Sequence, residues 1–108
     1  MATAKRFNVY VVELDKAVLD IRRFIEANPG HDPGKACFYV GMTGLDPDDR
    51  FDNHKRGHKA NRYAKKYGLQ LRPELYEKYN PMTFQEAKKR ERRLAEELRA
   101  KGHAVWQN

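Results

Sequence analysis

Apolar positions along this chain alternate between strand-like runs and helical stripes. Residues 6–14 (RFNVYVVEL) are rich in Val, Tyr and Phe and predict a first strand. Asp15 is placed to cap a helix over 15–27, because Leu14, Val18, Ile21 and Ile25 recur at helical spacing. Residues 28–34 (NPGHDPG) are dense in breakers and predict a loop. Residues 36–40 read as a second strand that ends at Gly41. Asp46, Pro47, Asp48 and Asp49 form a helix start: an N-cap oxygen, a proline at the first helical position, and acids at the positive end of the dipole. That helix is expected to stop near Gly57, and a second, over about 59–67, at Gly68. Part of 69–79 is expected as a third strand, with Pro73 placing it at or near an edge. Thr83 and Glu86 fit a capping box, and the helix they open should reach about Ala100, with Gly102 as its stop signal. Residues 103–107 close the chain as a short strand or extended tail. The order β-α-β-α-α-β-α-β predicts an α/β (α+β) domain: a small three- to four-stranded sheet with helices packed on it.

The 108 residues fit one domain with one modest core. No apolar run approaches the ~20 residues that cross a bilayer, so no membrane partner is expected. The basic pair near the N-terminus has no apolar stretch after it, so no secretory signal is visible. The single cysteine, Cys37, sits in a strand-like run and reads as a small core residue; a fold without cross-links suits a reducing cytoplasm. The net charge of +7 changes the picture most. Positive charge on a small domain attracts polyanions without specifying sequence. It is densest around Lys55, Arg56, Lys59, Lys65 and Lys66, and again from Lys88 to Arg93. Nucleic acid is therefore the expected partner.

Several positions are candidates for chemistry. Glu91 shares a helix face with Phe84, Ala87, Leu94 and Leu98. A carboxylate on a core-facing stripe is costly unless it is paired or binds a cation. Arg50 and His54 are four apart and share a face. Arg suits phosphate through its always-charged fork, and His can bind phosphate or move a proton. Tyr10 and Tyr39 each sit in a strand. A phenol is a poor base unless cations or hydrogen bonds stabilise its phenolate. Gly41 would let backbone or substrate approach, and Thr43 continues into a turn. Taken singly, each position also has a plain reading as packing, surface or turn.

Their order is more specific. Asn8-Val9-Tyr10, Tyr39-Val40-Gly41, Thr43, Arg50, His54 and the Ala87-x3-Glu91-x2-Leu94 helix resemble the motifs of the GIY-YIG nuclease family over nearly the whole chain. Asn108 stands where some members carry a late asparagine. The first motif lacks its glycine. The family joins the two motifs by a tight hairpin, whereas 28 residues lie between Tyr10 and Tyr39 here, room for an extra helix inserted between the first two strands. The resemblance implies a metal-dependent endonuclease hydrolysing DNA phosphodiester bonds. Glu91 would hold Mg²⁺ or Mn²⁺. Tyr10 or Tyr39 would orient or deprotonate the attacking water, Arg50 would stabilise the phosphate, and His54 would assist with phosphate or proton. Gly41, Thr43, Lys55, Arg56 and Lys59 would lie against the nucleic acid. Branched DNA, damaged DNA and RNA all remain open as substrates, and Arg22 and Arg23 of the insertion could meet a protein partner. The alternatives are a catalytically silent nucleic-acid-binding module of the same fold, and a basic domain whose charge is incidental.

Overall fold

In the computed structural model, residues 4–107 are described. The β-branched run at the N-terminus forms strand β1 (Asn8–Leu14). Strand β2 (Cys37–Thr43) lies antiparallel beside it, with Tyr10 opposite Gly41 and Val12 opposite Tyr39. Strand β3 (Gly68–Leu71) pairs antiparallel with the other side of β1. Strand β4 (Ala104–Gln107) runs parallel to β2, with Tyr39 opposite Trp106. The result is a mixed four-stranded sheet of order β3-β1-β2-β4. This is the α+β class expected, with β3 at an edge.

Strand alternation sorts the side chains into two faces. Tyr10, Val12, Tyr39 and Trp106 share one face; Val9, Val11, Phe38, Val40 and Val105 share the other. Helices α1 (Arg22–Glu26), α2 (Pro47–Arg56) and α3 (Arg62–Tyr67) cover the first face. There the Phe24 ring lies 6.3 Å from Trp106, and Tyr63 meets both at 5.3 and 4.9 Å. Helix α4 (Phe84–Ala100) covers the second face, burying Ala87, Leu94, Ala95 and Leu98, while its first residue packs edge-on against Phe7 at 5.3 Å. The Thr83–Glu86 capping box forms as the sequence predicts, and Gly102 takes a left-handed φ of 97° just past the helix. Cys37 is fully buried in the core.

Two expectations need correction. The segment between β1 and β2 is not one helix. It is a 3-10 turn (Lys16–Asp20), capped by Asp15, then the short α1, separated by an extended Ile21. The break rotates Phe24 into the core and leaves Ile25 38% exposed, so the Ile21–Ile25 stripe does not hold. Strand β2 does not end at Gly41; it pairs with β1 through Thr43. Part of 69–79 is the expected edge strand, residues 69–71 of β3, and Pro73 opens a 3-10 turn after it.

Side chains close the stretch of β1 that β3 leaves open and the outer edge of β4. Asn80 donates to Val9 O at 2.8 Å and accepts from Val9 N at 2.9 Å, standing in for a neighbouring strand. On β4, Asn28 accepts from Val105 N at 2.8 Å and Arg99 donates to Val105 O at 2.9 Å. Pairing these edge groups removes a template for non-native strand addition.

Candidate active site

Tyr10 and Tyr39 are diagonal neighbours on adjacent strands, and their rings sit 6.1 Å apart. Gly41 makes room for this. A Cβ at position 41 would lie 2.6 Å from the Tyr10 hydroxyl and 2.7 Å from its Cζ. The close approach that Gly41 permits is thus that of the Tyr10 phenol.

Helix α2 brings up the next two residues. Asp46 accepts from Asp48 N at 2.9 Å, Pro47 opens the helix, and Gly57 ends it with φ 83°. Arg50 and His54 lie one turn apart on the sheet side. His54 has no exposed surface, so it is not helix-surface decoration. Its Nε2 lies 2.8 Å from the Tyr10 hydroxyl, and its Nδ1 accepts from the backbone N–H of Asn61 at 3.1 Å. A backbone N–H can only donate, so Nδ1 carries no proton. The ring proton is then on Nε2, and His54 donates to Tyr10. Burial, and then the Arg50 charge, lower the His54 pKa from 6.5 to about 4, which keeps the ring neutral near pH 7.

The two phenols differ. Burial raises the Tyr10 pKa, and the Arg50 charge and the neighbouring Tyr39 side chain offset only part of the rise. Burial pushes Tyr39 far above the phenol range, and its donation to Tyr10 adds to the rise. His54 donates to the Tyr10 oxygen at 2.8 Å, and the Arg50 charge and the Tyr39 hydroxyl act on the same phenol. Such neighbours favour a phenolate over a phenol. Burial holds both phenols above their ordinary pKa, and Tyr10 is the one whose neighbours work against that rise most.

Glu91 is 7% exposed on α4. Its Oε1 accepts from Gln107 Nε2 at 2.9 Å, and no Lys or Arg among the described residues stands within ion-pair distance of it. Burial raises its pKa. Because α4 and α2 cover opposite faces, Glu91 and the phenols come from different layers. Gln107 stands opposite Val40, one residue before Gly41, so the carboxylate lies at that end of β2. Its charge reaches both phenols and raises each. No group of three or more His, Cys, Asp or Glu side chains converges among the described residues. A lone oxygen donor of this kind fits a hard ion that keeps most of its waters.

The flanking residues behave less as the sequence suggests. Both phenols are 1% exposed, so the site is closed over them. The Arg50 guanidinium donates to His58 O and Lys59 O at 3.3 and 2.9 Å, strapping the loop after α2. Lys55 donates to Lys65 O and Gly68 O, each at 2.9 Å, because the end of α3 leaves carbonyls that need donors. Arg56 donates to Asn53 at 2.6 Å. The Thr43 hydroxyl accepts from Leu45 N at 3.0 Å within the turn. Lys55, Arg56 and Thr43, expected against nucleic acid, are thus engaged within the chain, while Lys59 remains exposed with a φ of 48°.

Two positions escaped the sequence reading. Asn61 orients His54 and also caps α3 by accepting from Tyr63 N and Ala64 N. An Asn before a helical run is a capping signal that could have drawn notice. Gln107, which holds Glu91, carries no such signal. Asn108 lies outside the described residues. No protein-family model, curated protein or solved structure matches the chain.

Proposed function

We propose that this chain is a metal-dependent endonuclease that hydrolyses DNA phosphodiester bonds, of the GIY-YIG kind that its motifs resemble. The observation that carries this reading is the buried 2.8 Å hydrogen bond from His54 to Tyr10, with its direction fixed by Asn61. A tyrosine serving only as core would not need a buried histidine donor and a guanidinium charge at its oxygen. A general base would, since they favour its ionised form.

In this reading Tyr10 takes the proton from the attacking water. His54 holds the phenol in place and stabilises the charge that forms on it. Tyr39 stays protonated and orients Tyr10. Arg50 stabilises the phosphate as charge builds on its oxygens. A phosphate drawing on Arg50 competes with the His58 and Lys59 carbonyls, so engaging substrate loosens the strap on that loop. Glu91 would hold Mg²⁺ or Mn²⁺, which when bound neutralises the leaving oxygen. The fit rests on a nearly buried carboxylate with an amide donor and no cationic partner. The 28 residues between Tyr10 and Tyr39 include a short helical insertion whose exposed Arg22 and Arg23 could meet a partner.

One observation favours a second reading, a catalytically silent nucleic-acid-binding module: both phenols are closed off in this conformation. Incubation with supercoiled plasmid, branched DNA and RNA, each with Mg²⁺ or Mn²⁺, separates the two. Cutting that Arg50→Ala lowers by about 10²–10³-fold is the expected result. Binding without cutting under every condition favours the silent module. Failure to bind any nucleic acid, at any salt, removes both.

A further inference from the structure

A cleft of about 340 Å³ runs along α4 on the flank turned away from Glu91. Lys5, Lys89, Arg90 and Arg93 line it, together with Tyr79 and Met82. Three features suit it to a polyanion, and in the other basic cluster Lys55 and Arg56 are already engaged within the chain.

Its cations are not neutralised. The ion pairs among the described residues join Arg22 to Glu26 and Arg72 to Glu13 and Glu74; none involves these four. The one acid at the cleft, Glu86, is turned into the capping box, where it accepts from Thr83 N at 2.9 Å. Its strongest cation is held ready. The Arg90 guanidinium lies 4.1 Å from the centroid of Tyr79, with Lys78 5.2 Å from the same ring. Stacking on a ring fixes an arginine while its N–H donors stay available, unlike Lys55, which donates to carbonyls. The aromatic ring is already covered. With two cations over Tyr79, the ring orders charge and is not a platform for a base.

We propose that this cleft is where the chain grips the phosphodiester backbone of its nucleic acid, and that the cluster around Lys55 and Arg56 is not. The proposal rests on the nuclease reading for its choice of nucleic acid as the polyanion. The backbone is then held on one flank of α4 while Glu91 stands on another. A helix with side chains is about 10–12 Å across, and strand phosphates advance about 3.4 Å along a duplex, so the grip and the chemistry lie roughly three nucleotides apart. Contacts of this kind position the substrate and read no sequence.

The test measures binding of a duplex oligonucleotide without divalent ions, by fluorescence anisotropy, between about 50 and 200 mM salt. The Lys89→Ala/Arg93→Ala protein is compared with wild type and with Lys35→Ala/Lys101→Ala, which removes equal charge at the other end of α4. The cleft pair is expected to lower the slope of log K against log salt by about 2, for every sequence alike. In cleavage it should raise KM and leave kcat at saturating DNA unchanged. Wild-type slope and KM in the cleft pair, or an equal loss in the control pair, would overturn the proposal while leaving the nuclease reading intact. Binding of polyglutamate as tight as that of DNA would also overturn it. Binding through the cleft with no cutting by wild type would instead uphold the grip and remove the nuclease. Melting curves confirm that each protein is folded.

Discussion

The two sides of the sheet treat their buried polar groups differently. On the α2 side the groups around Tyr10 complete one another, although the buried Tyr63 hydroxyl has no partner among the described residues: Asn61 fixes His54, His54 donates to Tyr10, and the Arg50 charge acts on the same phenol. On the α4 side Glu91 has one amide donor and unused acceptor capacity. A finished network sets proton positions and needs no ligand to be stable. A nearly buried carboxylate without a cation is uncomfortable, and burial duly raises its pKa. The contrast is between a buried polar cluster on one face of the sheet and, on the other, a carboxylate beside Gln107 with no cation against it.

The largest effect should come from breaking the finished half. Tyr10→Phe keeps the ring in place and removes the oxygen to which His54 donates. Cleavage should fall by about 10²–10⁴-fold. Tyr39→Phe, which removes a donor and not the base, should cost less. Single-turnover rates at saturating DNA check the order; equal losses would erase the distinction between the phenols. Gly41→Ala comes next, because the new methyl would meet the Tyr10 hydroxyl at 2.6 Å. The ring must shift, at a cost of about 1–3 kcal/mol, read by urea denaturation, and activity should fall with it.

These residues show how much the sequence could reveal. The caps were legible: Asp46 with Pro47, Thr83 with Glu86, and the glycines that end helices, because capping is local chemistry. The burial of Glu91 was legible too, since helical period placed it among Ala87, Leu94 and Leu98. The break at Ile21 was not. Helical spacing favoured Ile25 inward, but Phe24 fills the space beside Trp106, a partner 82 residues away. The fate of Lys55 was hidden for a similar reason. Its carbonyl partners on Lys65 and Gly68 exist only once α3 has packed. Nor could spacing show that Asn61 decides which nitrogen of His54 carries the proton.

A smaller effect sharpens the comparison through pH. His54 has a folded pKa of about 4 against an ordinary 6.5. Between these values the unfolded chain binds the extra proton, so stability is full above pH 6.5 and declines toward pH 4, by up to about 3 kcal/mol. Glu91, whose pKa is raised, acts in the opposite direction and partly offsets the decline. Urea midpoints across this range should show the fall in wild type and a flatter profile in His54→Gln. A flat wild-type profile would mean that His54 is not held neutral.

The central claim is that Glu91 supplies the charge-binding half of a catalytic site. Cutting of supercoiled plasmid in Mg²⁺ by wild type and by Glu91→Gln tests it most directly, alongside the Mg²⁺ dependence of each melting temperature. The expected result is a loss of about 10²–10³-fold in the variant, with its fold retained and its Mg²⁺-induced rise in melting temperature gone. Equal cutting by the two proteins, with the same response to Mg²⁺, would contradict it.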